Sequence, residues 1–244
     1  MNTIQFISLG PGEAELITLK ALKALQNADI IFCPASKSKD PANTLYSRSA
    51  QILQELEINN NKIELFHVPM SKNRDFAQQA YDSLFEQCCK LYKQNKNIAI
   101  VAEGDCSFYS SIQYVYQKFT EINIPLTKIA GVPAFIAAAS FAGIHIVKQD
   151  QCLQVIANVA SLKDLQDSFK HSNAFVLMKL SQSEDLIKAF ISELSKEIIE
   201  NKQAKFHYFE NVGNINNQFY TSDKETILSR KFPYFSLLII TTEL

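Results

Sequence analysis

Three short runs place glycine, proline and acidic side chains where chemistry needs close backbone approach: Gly10-Pro11-Gly12, Glu103-Gly104-Asp105, and Ala130-Gly131-Val132-Pro133. Glycine tolerates positive φ and lets a ligand touch the main chain, while proline stiffens a turn. Four of the chain's six glycines fall in these runs, at positions 10, 12, 104 and 131. Any one run alone reads as an ordinary strand-to-helix turn. All three follow apolar segments, and open α/β sheets hold their ligands at the carboxyl ends of their strands. The first run is not a dinucleotide fingerprint, because Glu15 stands where G-x-G-x-x-G requires its third glycine. A carboxylate at that place would repel a pyrophosphate, which favours a cofactor without phosphates.

The elements that must carry these runs alternate along the first half. Ile4–Leu9, Asp29–Cys33, Ile63–Val68 and Ile98–Val101 read as short buried strands, with a weaker one near Thr127–Ala130. Between them, Leu16, Leu19, Leu22 and Leu25 recur at helical spacing, with Glu13 and Glu15 expected at the helix start. A second helix is expected over Leu45–Leu56. Phe76, Ala80, Leu84, Cys88, Leu91 and Tyr92 mark one face of a third. Strand and helix in this alternation predict a mostly parallel sheet covered on both faces.

Beyond Gly131 the pattern changes. Ala134–Ala142 is a helix of small residues, and strands are expected at Leu153–Ala157, Phe175–Leu180, Phe206–Phe209 and Phe235–Ile240. Helices are expected near Leu162–Phe169 and Glu184–Ile199. The fold class is therefore α/β, with an N-terminal α/β domain over 1–132 and a C-terminal α/β domain over 133–244.

Composition narrows the function. A formal net charge of −1 argues against a protein that binds nucleic acid through many phosphate contacts. The apolar runs, such as Ser236–Ile240, are too short to span a bilayer, and the N-terminus carries no basic-then-apolar signal. Five cysteines, at 33, 88, 89, 106 and 152, are odd in number and form no C-x-x-C pair, which fits reduced thiols in the cytoplasm. His67, His145, His171 and His207 are scattered, and no metal site is expected.

Several ordered motifs carry a family resemblance. Leu9-Gly10-Pro11-Gly12-Glu13-Ala14-Glu15-Leu16-Ile17-Thr18-Leu19-Lys20-Ala21 resembles the opening signature of the tetrapyrrole (corrin/porphyrin) methylases. Ala28-Asp29-Ile30-Ile31 matches their second strand. Glu103–Ser111 resembles their second signature, with Cys106 in place of the usual proline, and Gly131–Ala139 the third. Val176–Leu180 and Pro233–Leu237 are similar to the subgroup that methylates carbon-20 of precorrin-2 or cobalt-factor II. The resemblance runs from about Ile4 to Ile240.

It implies a two-domain methyltransferase with its active site in a cleft between domains, a homodimer, and an anionic tetrapyrrole substrate. The implied cofactor is S-adenosyl-L-methionine, leaving S-adenosyl-L-homocysteine as product. Carried over by position, its contacts are Pro11, Glu103, Gly104, Asp105, Phe108, Pro133, Ala134, Met178 and Val212, with Tyr234 near the adenosine. Asp105 would hydrogen-bond the cofactor or brace its own turn. Loss of proline at Cys106 is expected to loosen its loop, and the thiol reads as packing, not as a nucleophile. Glu103, Tyr109 and His67 are open choices for the base that removes the carbon-20 proton, and no catalytic residue is assigned. Lys37, Lys39, Lys72, Arg74 and Lys179 stand near predicted strand ends, where cations would meet substrate carboxylates; a solvated side chain is the alternative for each. Two rivals remain: a sister tetrapyrrole methylase acting at another ring carbon, or a related methylase with a protein substrate, and a cofactor-binding module without catalysis.

Overall fold

The computed structural model describes residues 3–37, 44–69, 74–170, 172–197 and 203–243. The chain divides into two compact units, Met1–Pro133 and Ala134–Leu244.

The first unit contains β1 (Ile4–Ser8), α1 (Leu19–Asn27), β2 (Ile30–Lys37), β3 (Leu45–Tyr46), α2 (Arg48–Glu55), β4 (Ile63–His67), α3 (Arg74–Lys93), β5 (Ile98–Ala102), α4 (Gln113–Glu121) and β6 (Leu126–Ile129). Its parallel strands lie in the order β4-β2-β5-β1-β6, and β3 pairs antiparallel with β2. The central strands β1 and β5 are apolar on both faces, as a strand must be when helices cover both sides of its sheet. Phe6 and Ile100 face a core built with Tyr81, Leu84 and Phe119 from α3 and α4. Their neighbours Ile7 and Val101 face the opposite core, with Ala21, Leu25, Ile52 and Leu53 from α1 and α2. Adjacent strand residues thus feed opposite layers.

Two expected helix starts move. The first helix begins at Leu19, where the Thr18 hydroxyl accepts from the Ala21 amide at 3.2 Å; Ala14–Leu16 forms a separate 3-10 turn. Glu13 therefore precedes that turn and Glu15 lies within it, and neither stands at the start of the α-helix. The second helix starts at Arg48, because Ser47 caps it by accepting from the Ala50 amide at 3.1 Å, and Leu45–Tyr46 belongs to the sheet edge.

The second unit contains α5 (Ala134–Ala142), β7 (Leu153–Ile156), α6 (Leu162–Lys170), β8 (Ala174–Met178), α7 (Glu184–Glu197), β9 (Gln203–Glu210), β10 (Phe219–Thr221), α8 (Lys224–Ser229) and β11 (Ser236–Glu243). Its strand order is β10-β9-β11-β8-β7, antiparallel throughout except for the parallel β7–β8 pair. One face packs Phe175, Leu177, Tyr208 and Leu238 against Leu165, Phe190, Ile191 and Ile227 from α6, α7 and α8. The strand expected over Phe175–Leu180 ends two residues early, at Met178, since Lys179 takes a left-handed conformation (φ 56°) that cannot continue a ladder. Among the described residues no helix is long and apolar enough to cross a membrane.

Candidate functional site

In the first unit the three glycine-bearing loops meet at the carboxyl end of the sheet. β1 and β5 lie side by side, and their pairing extends past both strands as a bridge between Gly10 and Gly104. The Gly10 amide donates to the Gly104 carbonyl at 3.1 Å, and the Gly104 amide returns a bond to the Gly10 carbonyl at 2.6 Å. Both glycines have positive φ, 79° and 67°, which suits a reversal immediately after a strand. The third loop closes against this pair. A Cβ on Gly131 would lie 2.5 Å from the Ser8 Cβ and 2.8 Å from the Gly104 carbonyl oxygen, so nothing larger than glycine fits there.

Asp105 is the brace between the second and third loops. Its Oδ2 accepts from the Gly131 amide at 2.8 Å, and its Oδ1 accepts from the Ser107 amide at 2.8 Å and from the Ser107 hydroxyl. Burial alone would push this carboxyl up; the bonds from Ser107 and Gly131, with Lys128 nearby, outweigh it and hold the group below the usual carboxylate range.

Cys106 does not loosen its loop. Proline has no N–H, whereas the Cys106 amide donates to the buried Ser8 Oγ at 2.9 Å. Ser8 Oγ in turn donates to the Ile129 carbonyl at 2.7 Å, tying β1, the second loop and β6 together. The thiol is 2% exposed and lies 3.7 Å from the Phe6 carbonyl oxygen. Burial pushes its pKa up, which leaves it protonated and inert.

Glu103 lies beside Arg48, with Nε 3.8 Å from Oε2. Burial raises the Glu103 carboxyl and the Arg48 charge pulls it back down. Pro11 is buried, and its carbonyl accepts from Arg48 Nη2 at 3.0 Å. Pro11, Glu103, Gly104 and Asp105 therefore form one connected cluster. Phe108 continues it, its amide donating to the Asp105 carbonyl at 3.1 Å and its ring packing edge-on to Tyr109. Pro133 stands two residues after the braced Gly131. Tyr109 is half-exposed in left-handed backbone. His67 ends β4, two strand spacings (about 10 Å) from β5, with β2 between them.

In the second unit, Met178 ends β8 and pairs in register with Leu237 of β11, which pairs on its other side with Phe209 of β9. Val212 is buried just beyond β9, and the Asn211 amide donates to the Phe235 carbonyl at 2.8 Å. Tyr234 precedes that residue, 44% exposed, with its ring edge-on to Phe235. Met178, Val212 and Tyr234 thus share one end of the second sheet, while Ala134 opens α5. Lys37 is exposed at the end of β2, and Lys179 follows Met178. Met70, Lys39, Lys72 and His171 lie outside the described residues, as does the Arg74 side chain. Among the described residues no group of three or more His, Cys, Asp or Glu could hold a metal.

Sequence reasoning passed over Ser8 and Arg48. Each carried a signal: Ser8 is a polar residue in an apolar strand, and Arg48 stands one helical turn before Ile52, on the face that α2 buries.

Gly104 faces open space, since a Cβ there would meet no heavy atom within 4 Å, and the Arg48–Glu103 ion pair lies beside it.

Comparison with known proteins shows the family of the chain. A precorrin-2 C(20)-methyltransferase from a Sinorhizobium species is 23% identical over 244 residues, covering 96% of this chain and 93% of its own. A cobalt-precorrin-2 C(20)-methyltransferase from Salmonella typhimurium is 22% identical over 248 residues, covering 97% and 95%. The structure of a uroporphyrin-III C-methyltransferase from Thermus thermophilus, complexed with S-adenyl homocysteine, superposes with a TM-score of 0.65 at 13% identity, over 98% of this chain and 97% of that one. At that identity the likeness is one of fold. The model of the Tetrapyrrole (Corrin/Porphyrin) Methylases matches residues 3–227, and the chain belongs to that family.

Proposed function

We propose that the chain is an S-adenosyl-L-methionine-dependent C-methyltransferase that methylates carbon-20 of precorrin-2 or cobalt-factor II in the biosynthesis of the corrin ring of cobalamin. The observation that carries this reading is the meeting of the Gly10, Gly104 and Gly131 loops, with Gly104 facing open space beside Glu103. Its specificity comes from near-full-length relatives that bear the carbon-20 activity in their names.

Pro11, Glu103, Gly104, Asp105, Phe108 and Pro133 would hold the cofactor in the first unit, and Ala134, Met178, Val212 and Tyr234 in the second. When bound, S-adenosylmethionine supplies an activated methyl group and leaves as S-adenosylhomocysteine. Because the donor is already activated, alignment and exclusion of water supply much of the rate. Asp105 serves by holding the second and third loops in register, since both its oxygens already accept bonds from the protein. Glu103 is the acidic group placed to face a positive charge, and a carboxyl raised by burial is also suited to accepting a proton. Met178 offers a polarizable side chain to an adenine ring. We place the enzyme in the cytoplasm as a homodimer; the free state of all five cysteines fits a reducing compartment.

Incubation with methyl-labelled S-adenosylmethionine and either precorrin-2 or cobalt-factor II tests the reading, with the methylated carbon located by NMR. Label at carbon-20 is expected. Label at another ring carbon would replace this reading with a sister activity, and tight cofactor binding without transfer would leave a binding module.

A further inference from the structure

Arg48 is the one buried cation among the described residues that reaches two of the three site loops. Its Nη2 donates to the Pro11 carbonyl at 3.0 Å in the first loop, and its Nε stands 3.8 Å from Glu103 Oε2 in the second. The side chain is 9% exposed. Its place costs stability twice over. A buried guanidinium gives up hydration, and the first position of α2 is where the positive end of the helix dipole disfavours a cation.

The surroundings fix it there. Ser47 caps α2 and also donates to the Pro34 carbonyl at 2.7 Å, anchoring the helix start to β2, while Ile52 and Leu53 bury the same helix in the core. Gly12, at φ +134°, leaves room for the guanidinium: a Cβ on it would lie 3.0 Å from Arg48 Cζ. The glycine and the arginine therefore belong to one arrangement.

We infer that Arg48 is a positioning residue of the methyltransferase site, whose guanidinium clamps the Pro11 carbonyl and the Glu103 carboxylate into the one geometry that receives the sulfonium cofactor. This rests on the cofactor reading proposed above. The planar guanidinium hydrogen-bonds the Pro11 carbonyl of one loop through Nη2 while holding its charge 3.8 Å from the Glu103 carboxyl of another; lysine, a single compact ammonium on a flexible stem, reaches one at a time. Clamping loops that bind the cofactor equally in ground and transition states acts on affinity more than on turnover.

The test compares wild type, Arg48→Lys and Arg48→Met by calorimetric titration with S-adenosylhomocysteine, by steady-state kinetics and by thermal melting. Arg48→Met is expected to bind about tenfold more weakly and to raise KM for the methyl donor by a like factor, with kcat little changed. Arg48→Lys should recover part of the affinity. A cofactor-free arm adds Gly12→Ala in both backgrounds: it should lower Tm more beside Arg48 than beside the methionine. Wild-type affinity in folded Arg48→Met, or a loss matching only the unfolded fraction, would overturn the inference, as would additive Gly12→Ala effects. Failure of the wild-type protein itself to bind the homocysteine product is a different result, and it removes the cofactor reading together with this clamp.

Discussion

The Cys106 amide and the Ser8 hydroxyl form a buried hydrogen bond of 2.9 Å that links the loop after β5 to the end of β1. Ser8 passes the connection on to the Ile129 carbonyl at 2.7 Å, so one hydroxyl holds the roots of all three site loops. Ser8→Ala would leave a buried amide and a buried carbonyl without that partner, at a cost of about 1–3 kcal/mol. Cys106→Pro deletes the donor and should cost about 1 kcal/mol. Both changes remove the same bond, so denaturant unfolding of the double variant is expected to show less than the sum. Strict additivity would mean that the bond contributes nothing.

Asp105 ties stability to acid. Its carboxyl lies below the usual 3.8 in the folded protein, because hydrogen bonds to the carboxylate outweigh burial. A depressed folded-state pKa contributes stability that is present above the unfolded value and is lost as pH falls through the folded one. Asp105→Asn keeps one acceptor oxygen where the carboxylate serves Gly131 and Ser107 with two. The variant should lose about 1–3 kcal/mol at pH 7, and the gap to wild type should close as the pH falls below the folded pKa. Urea denaturation at neutral and acidic pH reads this directly. A gap that stays constant would show that the charge plays no part.

The first unit was legible because its strands are apolar runs ended by glycine and proline, and buried parallel strands have little other way to read. Each glycine of the three loops proved to occupy a turn or a close approach. The second unit was harder. Its strands could be seen, but their antiparallel order could not, since no tight hairpin signal joins β8 to β11 or β9 to β11. Phe219–Thr221 is too short to stand out as a strand, and α8 escaped notice because Lys224–Ser229 is short and mixed in character, as did α4 (Gln113–Glu121) in the first unit. The roles of Ser8 and Arg48 depend on partners 98 and 37 residues away, and spacing along the chain does not show such pairs.

Gly131 should tolerate no side chain. Alanine there would press on the Ser8 Cβ at 2.5 Å and on the Gly104 carbonyl at 2.8 Å, both in rigid backbone or a locked core. Overpacking of this kind costs about 1–3 kcal/mol. Moving the third loop away also strains its bond to Asp105, so Gly131→Ala is expected to lower both Tm and S-adenosylhomocysteine affinity. Gly143→Ala is the control: unlike Gly131 it has positive φ, and a Cβ there meets nothing within 4 Å, so its cost should be confined to stability. Equal loss of ligand affinity in both variants would separate the Gly131 packing from the site.

Cys106 is the thiol of the second site loop, next to Asp105, and its surroundings argue that it packs there and does not attack. The thiolate is the reactive form, and burial pushes Cys106 and Cys88 up and Cys33 to about 12, whereas Cys152 is exposed. Iodoacetamide at pH 8 should therefore label Cys152 in the native protein, with Cys33, Cys88 and Cys106 protected until denaturant is added; peptide mass spectrometry reads the sites. Cys106→Ala removes the thiol but keeps the amide that bonds Ser8, so turnover should stay within a few-fold of wild type and the principal cost should be in stability, about 1 kcal/mol for the lost packing. Abolished methyl transfer in a folded Cys106→Ala protein that still binds cofactor would make the thiol a participant in the reaction.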